Sequence, residues 1–134
     1  MNIRDFAASP KFLALKNLFL FSTSKIIMVQ ETMHERQETI ACFRRMFPTW
    51  HISATEASEL SRGLAVLWDP YLILARTFQF LDGILILAIF RGMASPIHIL
   101  NVYAPYKEIS NFWNQFLTLE IMEIESLLIL GDLN

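Results

Sequence analysis

The sequence predicts an α/β or α+β layered sandwich, in which a mixed sheet is flanked by helices. Three observations predict it: short apolar runs of strand length, segments with helical spacing of apolar residues, and a hairpin signal between two of the runs. Hydrophobic residues make up 54% of the 134 residues and charged residues only 18%, so we expect most elements to be covered by others. The length suits one compact domain, since single domains most often have roughly 100 to 150 residues.

The first three elements alternate between helix and strand. Apolar residues recur at helical spacing over residues 12–19, behind a Ser9-Pro10 pair that suits a helix start, and they predict the first helix. Residues 26–29 form an apolar run without a polar face, which predicts a strand buried from both sides. One apolar face recurs over residues 35–47 and Pro48 follows it, so a second helix is predicted to end there.

The rest of the chain is dominated by strand patterns. Strands are predicted at residues 50–54, 64–68, 72–80, 84–90 and 97–103. The pair Asp82-Gly83 predicts a tight hairpin turn, because these residues accept the positive φ angles that such a turn needs. The spacing of apolar residues over 109–117 predicts a third helix, and the run from Leu127 to Leu130 predicts a last buried strand.

Composition excludes several classes of function. The net charge of −2 gives no electrostatic reason for tight binding to nucleic acid, so any such role must depend on a local site. Cys42 is alone, which rules out an internal disulfide, and one Cys with three scattered His residues offers no soft-metal site. The longest apolar run, residues 84–90, is far shorter than the roughly 18 to 20 residues that cross a bilayer. We therefore expect a soluble intracellular protein without a membrane partner.

Polar residues follow two of the predicted buried strands. Gln30 and Glu31 come after the first strand, and Asp132 comes shortly after the last one. Ligands of open α/β sheets bind beyond the carboxyl ends of strands, although a single acid there more often caps a helix or turn. Period-two alternation places Asn101 and Tyr103 on one face of their strand. Because carboxylate and amide oxygens suit Mg²⁺, the sequence predicts a hard-metal site.

Five blocks of the sequence resemble, in order and spacing, the motifs of the endonuclease/exonuclease/phosphatase superfamily. The blocks are residues 1–4 with 11–15, 29–32, 61–68, 101–105 and 131–134. Residues 64–70, Leu-Ala-Val-Leu-Trp-Asp-Pro, and the pair Phe112-Trp113 are especially similar to endonuclease domains of plant LINE-type (non-LTR) retrotransposons. The resemblance implies a partial four-layer α/β sandwich and a Mg²⁺-dependent phosphodiesterase whose full-length relatives act on DNA.

The same resemblance implies a role for each site residue. Glu31 would ligate Mg²⁺ or Mn²⁺, and Asn2 would help to hold the metal and phosphate region. Tyr103 would contact the scissile phosphate, Asp132 would orient or deprotonate the attacking water, and Asn134 would bind the phosphate as charge develops. The residues expected to line the site beside them are Gln30 and Asn101.

The sequence also departs from the family pattern. Asp5 stands where the family has Gly, and Ser61-Arg62-Gly63 replaces Ser-Gly-Gly, which puts a bulky cation at a position of permissive backbone. Residues 1–134 contain no counterpart of the family's first strand or of its closing Ser-Asp-His segment. We therefore expect a truncated domain that binds Mg²⁺ weakly and is inactive by itself, with the nucleus among its candidate compartments.

Two other interpretations remain open. In the first, the chain is a non-catalytic retroelement remnant that associates with itself through an uncovered sheet face. The hydrophobic content of 54% suggests this interpretation. Alternatively, it is a small-phosphoester hydrolase of the same superfamily, of the kind that acts on inositol phosphates. The low net charge favours this second alternative slightly.

Overall fold

The structure is a computed structural model that describes residues 9–57, 62–80, 82–105 and 108–133. Within these ranges the chain forms three α-helices, one short 3₁₀ helix and seven β-strands. In chain order they are α1 (Ser9–Phe21), β1 (Ile26–Gln30), α2 (Arg36–Met46), β2 (His51–Ala54), β3 (Leu64–Trp68), β4 (Ile73–Gln79), β5 (Gly83–Phe90), β6 (Ile97–Tyr103), α3 (Ile109–Thr118), the 3₁₀ helix (Ile121–Glu123) and β7 (Leu127–Asp132). These bounds confirm the predicted order of helices and strands.

The strands form two sheets. The first has the order β1-β3-β2, with both pairings antiparallel. The second has the order β4-β5-β6-β7, antiparallel except for the parallel pair β6 and β7. In the register of these sheets Gln30 lies opposite Leu64, and Tyr103 lies beside Asp132. The carboxyl ends of β1, β6 and β7 are thus the places where the predicted site residues emerge.

The core has three parts that separate four layers. Between α1, α2 and the first sheet lie residues such as Phe43, Val29 and Leu67. Between the two sheets lies a second cluster that includes Val66 and Ile86. A third cluster packs α3 and the 3₁₀ helix onto the outer face of the second sheet. The result is an α/β/β/α sandwich, and the predicted fold class is confirmed.

The position of β3 explains its lack of a polar face. It is the middle strand of the first sheet and all five of its residues are buried. Ala65 and Leu67 face the helices, whereas Leu64, Val66 and Trp68 face the second sheet. A strand covered on both faces has no solvent side on which a polar residue would be stable.

One local prediction was wrong and another was confirmed. The strand at Leu127 to Leu130 was predicted to be buried, but Leu128 and Leu130 are 48% and 42% exposed, because β7 is an edge strand that contributes no residue to the cluster between the two sheets. The hairpin between β4 and β5 forms where it was predicted, and its turn is tight. The register pairs Gln79 with Ile84, and Phe80 N donates to the Gly83 carbonyl at 2.8 Å, which leaves two residues in the connection. Gly83 has no positive φ angle, because it is already the first residue of β5.

Among the described residues, no helix is both long enough and apolar enough to cross a membrane.

Candidate functional site

The chain leaves β1 through an unusual backbone conformation. Glu31 and Met33 have φ angles of 53° and 58°, which few residues other than glycine adopt. Their conformation is held by the segment before β3, because Thr32 N donates to the Gly63 carbonyl (3.2 Å) and Met33 N donates to the Arg62 carbonyl (3.0 Å). Backbone strain of this kind is commonly found where a side chain must be aimed at a site.

The Glu31 carboxylate is the centre of a buried cluster. Only 3% of its side chain is exposed, and its Oε1 accepts a hydrogen bond from the Tyr103 hydroxyl at 3.1 Å. The same oxygen accepts from Arg62 Nη1 at 3.2 Å. The Arg62 guanidinium also lies 5.9 Å from the centre of the Tyr103 ring, within the range of a cation–π contact. Residues from β1, from the loop before β3 and from β6 therefore meet at one carboxylate.

Tyr103 is held in its protonated form. Burial raises the pKa of its hydroxyl, and the hydrogen bond to Glu31 and the negative charge of that residue raise it further. The positive charge of Arg62 lowers this pKa, and the negative charge of Asp132 raises it, both to a smaller extent. A phenol with a raised pKa keeps its proton at neutral pH and acts as a hydrogen-bond donor.

Gln30 and Asn101 form a polar bridge between the two sheets. Gln30 Nε2 donates to Asn101 Oδ1 (3.2 Å) and to the Val102 carbonyl (2.7 Å). Asn101 Nδ2 lies 3.3 Å from the carbonyl oxygens of both Val29 and Ala65. Asn101 is 1% exposed, so its amide serves backbone groups inside the sandwich. As predicted from period-two alternation, Asn101 shares its face with Tyr103.

Asp132 lies beside this cluster on the neighbouring strand. It pairs with Tyr103 in the parallel register of β6 and β7, and its carbonyl accepts from Ala104 N at 2.8 Å. The residue is exposed, unlike Glu31. Asp132 therefore places an exposed carboxylate at the rim, close enough for its charge to influence the Tyr103 hydroxyl.

The structure brings some predicted site residues together. Glu31 and Tyr103 are in direct contact, Gln30 and Asn101 support them from within the sandwich, and Asp132 flanks Tyr103. The remaining two, Asn2 and Asn134, lie outside the described residues.

Arg62 is a member of the cluster that sequence reasoning did not assign to the site. Its signal was present in the sequence, because Ser61-Arg62-Gly63 departs from the family pattern at this point. Gly63 keeps a φ angle of 76° and lies against Thr32, which explains why a glycine is needed there. Arg62, the residue before this glycine, has room for its long side chain, and that side chain reaches Glu31.

The side chains around Glu31 offer few ligands to a divalent cation. A carboxylate oxygen is the right type of donor for Mg²⁺, which usually takes one or two protein carboxylates. However, Glu31 Oε1 already receives hydrogen bonds from Arg62 and Tyr103. Among the described residues, no three His, Cys, Asp or Glu side chains lie together as a group that could hold a metal ion. As arranged, these side chains do not fit a tightly held divalent cation.

Comparison by sequence identifies no relative. No protein-family model matches the chain, and no curated protein matches it in sequence.

Comparison by structure gives clear similarities. A functionally unknown conserved protein from Enterococcus faecalis V583 matches with a TM-score of 0.66 and 14% identity, over 92% of this chain and 57% of that one. ANGEL2, described as a 2′,3′-cyclic phosphatase and solved with adenosine-2′,3′-vanadate, matches with a TM-score of 0.67 and 12% identity, over 98% and 45%. D. rerio TDP2, complexed with a single-strand DNA product, matches with a TM-score of 0.67 and 10% identity, over 99% and 58%.

These similarities define the fold. TDP2 and ANGEL2 are members of the endonuclease/exonuclease/phosphatase superfamily, and the sandwich described above is a fold of that type. The chain spans about half the length of the three solved structures.

Proposed function

We propose that this chain carries part of a phosphodiester-processing site, centred on Glu31, Tyr103 and Asp132, and that the chain by itself turns substrate over poorly or not at all. The observation that carries the proposal is the convergence of three elements on the buried Glu31 carboxylate at the carboxyl ends of β1 and β6. Ligand sites are common in such crevices beyond strand ends. The fold supports it, because structural neighbours process DNA or phosphoesters.

The described residues suggest a division of roles. The Tyr103 hydroxyl keeps its proton and is the candidate to donate a hydrogen bond to a phosphate oxygen, once that proton turns away from Glu31. Asp132 is exposed at the rim, where it is the candidate to orient an attacking water. Glu31 is already engaged by Arg62 and Tyr103, which supports the proposal of weak Mg²⁺ binding and low turnover. Asn2 and Asn134 keep the roles that the family resemblance implies.

A plasmid-nicking assay tests both halves of this proposal. We expect little or no nicking of supercoiled DNA by the unmodified chain in the presence of Mg²⁺. Robust nicking that disappears in Glu31→Gln and in Asp132→Asn would establish the site and overturn the proposed inactivity. Nicking that survives both substitutions would indicate a contaminating nuclease or a site elsewhere.

DNA is the substrate class we favour. The complex of D. rerio TDP2 with a single-strand DNA product supports it for the fold. The retrotransposon origin is a finer proposal that rests on the similarity of residues 64–70 and of Phe112-Trp113 to LINE-type domains. In the structure both segments are also core elements, since β3 is buried and Phe112 is 3% exposed. A reverse-transcriptase reading frame next to the coding sequence would support that origin, and nuclear localisation of a tagged chain would fit it.

A small phosphoester is the alternative substrate. The description of ANGEL2 as a 2′,3′-cyclic phosphatase favours this class for the fold, as does the net charge of −2. Hydrolysis of a nucleoside 2′,3′-cyclic phosphate or an inositol phosphate, in the absence of any nicking of DNA, would favour it over the DNA proposal.

A non-catalytic role in self-association is supported by a different observation. Leu128 and Leu130 on β7 are 48% and 42% exposed, and β7 is one of the two edge strands of the second sheet as described. Exposed edge strands of this kind pair with identical edges unless charges prevent it. We expect a concentration-dependent dimer in size-exclusion chromatography with light scattering. Leu128→Lys should reduce the dimer fraction, and a monomer at all concentrations would count against this role.

A further inference from the structure

We infer that Arg62 is the resident cation of this site and that it competes with a divalent metal ion for the Glu31 carboxylate. The inference rests on the proposed function, which gives Glu31 the role of metal ligand. It adds a specificity-determining residue, Arg62, that weakens the binding of a metal ion. The main observation behind it is the contact of Arg62 Nη1 with Glu31 Oε1 at 3.2 Å.

The contact satisfies an electrostatic need of Glu31. Its side chain is only 3% exposed, and a buried carboxylate is stable as an anion only if a positive charge or hydrogen-bond donors compensate it. The guanidinium of Arg62 is charged at all ordinary pH values and supplies both. With this neighbour in place, the Glu31 carboxylate has the counter-charge that a metal ion would otherwise provide.

Contacts of both the backbone and the side chain hold Arg62 in place. Its carbonyl accepts from Met33 N at 3.0 Å, and it forms an antiparallel bridge with Ala57. Its guanidinium lies 5.9 Å from the centre of the Tyr103 ring. These contacts restrict the side chain before any ligand arrives, so the ion pair with Glu31 requires little further ordering.

A divalent ion can bind Glu31 in two ways, and Arg62 weakens the binding in both. It can lie beside the guanidinium, where like charges repel each other, or it can displace a side chain that is 35% exposed and already paired. Removal of the positive charge at position 62 should therefore tighten binding at Glu31 by about tenfold or more, which corresponds to about 1.4 kcal/mol.

Titration of the chain with Mn²⁺, followed by electron paramagnetic resonance of the free ion, measures this effect without any enzymatic readout. Arg62→Met keeps an apolar stem against Tyr103 and removes the charge, whereas Arg62→Lys keeps a charge. We expect tighter binding in Arg62→Met and weak binding in Arg62→Lys. Arg91→Met is the matched control, because Arg91 follows β5 at the opposite end of the second sheet and should leave the affinity unchanged.

The outcomes separate the inference from the proposed function. Tighter binding in Arg62→Met that is lost in the double variant with Glu31→Gln supports both. Equal affinities of Arg62→Met and the unmodified chain, with binding that still depends on Glu31, would overturn the inference and leave the proposed function standing. Binding that is indifferent to Glu31 in every variant would overturn both. A thermal melt of each variant identifies unfolding, and Arg62→Gln replaces Arg62→Met if that variant unfolds.

Discussion

The ends of β1 and β7 carry similar sequences but lie in opposite surroundings. Each strand is an apolar run that leads to an acid, Glu31 in the first case and Asp132 in the second. Glu31 is 3% exposed and engaged by two side chains, whereas Asp132 is exposed at the rim. Both strands are edges of their own sheets, so edge position alone does not explain the difference.

The difference arises from what lies across each strand. β1 has α1 and α2 on one face and the second sheet on the other. It packs over β6, and the Asn101 side chain crosses to the backbone of the first sheet. By the register of β6 and β7, Leu128 and Leu130 point to the same side as Ile99 and Asn101, but in the described structure they remain largely exposed. The second sheet therefore extends past the first by one strand, β7. The residues at the end of β1 are buried between layers, whereas the similar residues of β7 are exposed.

The largest expected effect comes from truncation of matched aliphatic residues in the two strands. Ile27 is 4% exposed and Leu128 is 48% exposed. Ile27→Ala should lower the free energy of unfolding by about 2 to 5 kcal/mol, because it leaves a cavity between β1 and the helices. Leu128→Ala should cost less than about 1 kcal/mol. Urea denaturation measures both, and equal losses would show that the two strands do not differ in burial.

The second largest effect concerns the polar bridge that joins β1 to β6. Asn101→Ala removes one of the two acceptors of the Gln30 amide and a donor to the carbonyls of Val29 and Ala65, so buried polar groups lose hydrogen bonds. Each such loss costs about 1 to 3 kcal/mol, and we expect about 2 to 3 kcal/mol in total after relaxation. Asn114→Ala on the exposed face of α3 is the control. A neutral Asn101→Ala would mean that the bridge does not hold the sheets together.

A smaller effect is expected from the polar groups of the site itself. Tyr103→Phe removes the hydroxyl that donates to Glu31 and should cost about 1 to 2 kcal/mol at neutral pH. Asp132→Asn should change stability by less than about 0.5 kcal/mol, since the residue is exposed. Thermal and urea unfolding of the two variants at pH 7 provides the comparison. If Asp132→Asn proved as destabilising as Tyr103→Phe, the distinction between a buried site and an exposed rim would fail.

The smallest effect involves a third acid at the same end of the second sheet. Asp82 is 8% exposed, its Oδ1 has no hydrogen-bond partner within the described chain, and burial raises its pKa above the usual value of 3.8. An acid with a raised pKa in the folded state destabilises the fold as pH rises above the pKa of the unfolded state. The melting temperature of Asp82→Asn, relative to the unmodified chain, should therefore be higher at pH 7 than at pH 3. A constant difference across this range would refute the burial of its charge.

Sequence patterns predicted most of the fold, for a simple physical reason. Segments such as 64–68 and 97–103 were predicted with their observed bounds. The first of these is an uninterrupted apolar run, which a strand covered on both faces requires. Alternation along β6 also placed Asn101 and Tyr103 on one face. The tight hairpin was also predicted in the right place, but the turn lies one residue earlier than the Asp82-Gly83 pair suggested, since its position depends on where the two strands stop pairing.

The candidate site was predicted only in part. Glu31 and Tyr103 were identified from strand ends and from the family resemblance, and the structure joins them by a hydrogen bond. Arg62 was noticed only as a departure from a pattern. Its contact with Glu31 spans 31 positions of the sequence, and no local periodicity reports such a distance. Asn2 and Asn134 remain predictions, because they lie outside the described residues.

The amino-acid sequence alone was enough to predict the order of helices and strands and most of the residues that face the core, because both follow from local backbone preferences and from the spacing of apolar side chains. The tertiary structure alone decided which of two similar strand ends is buried and which cation pairs with Glu31. Burial depends on what packs across a strand, and an ion pair depends on two side chains that meet only after the layers close. Neither property belongs to a single segment of the chain.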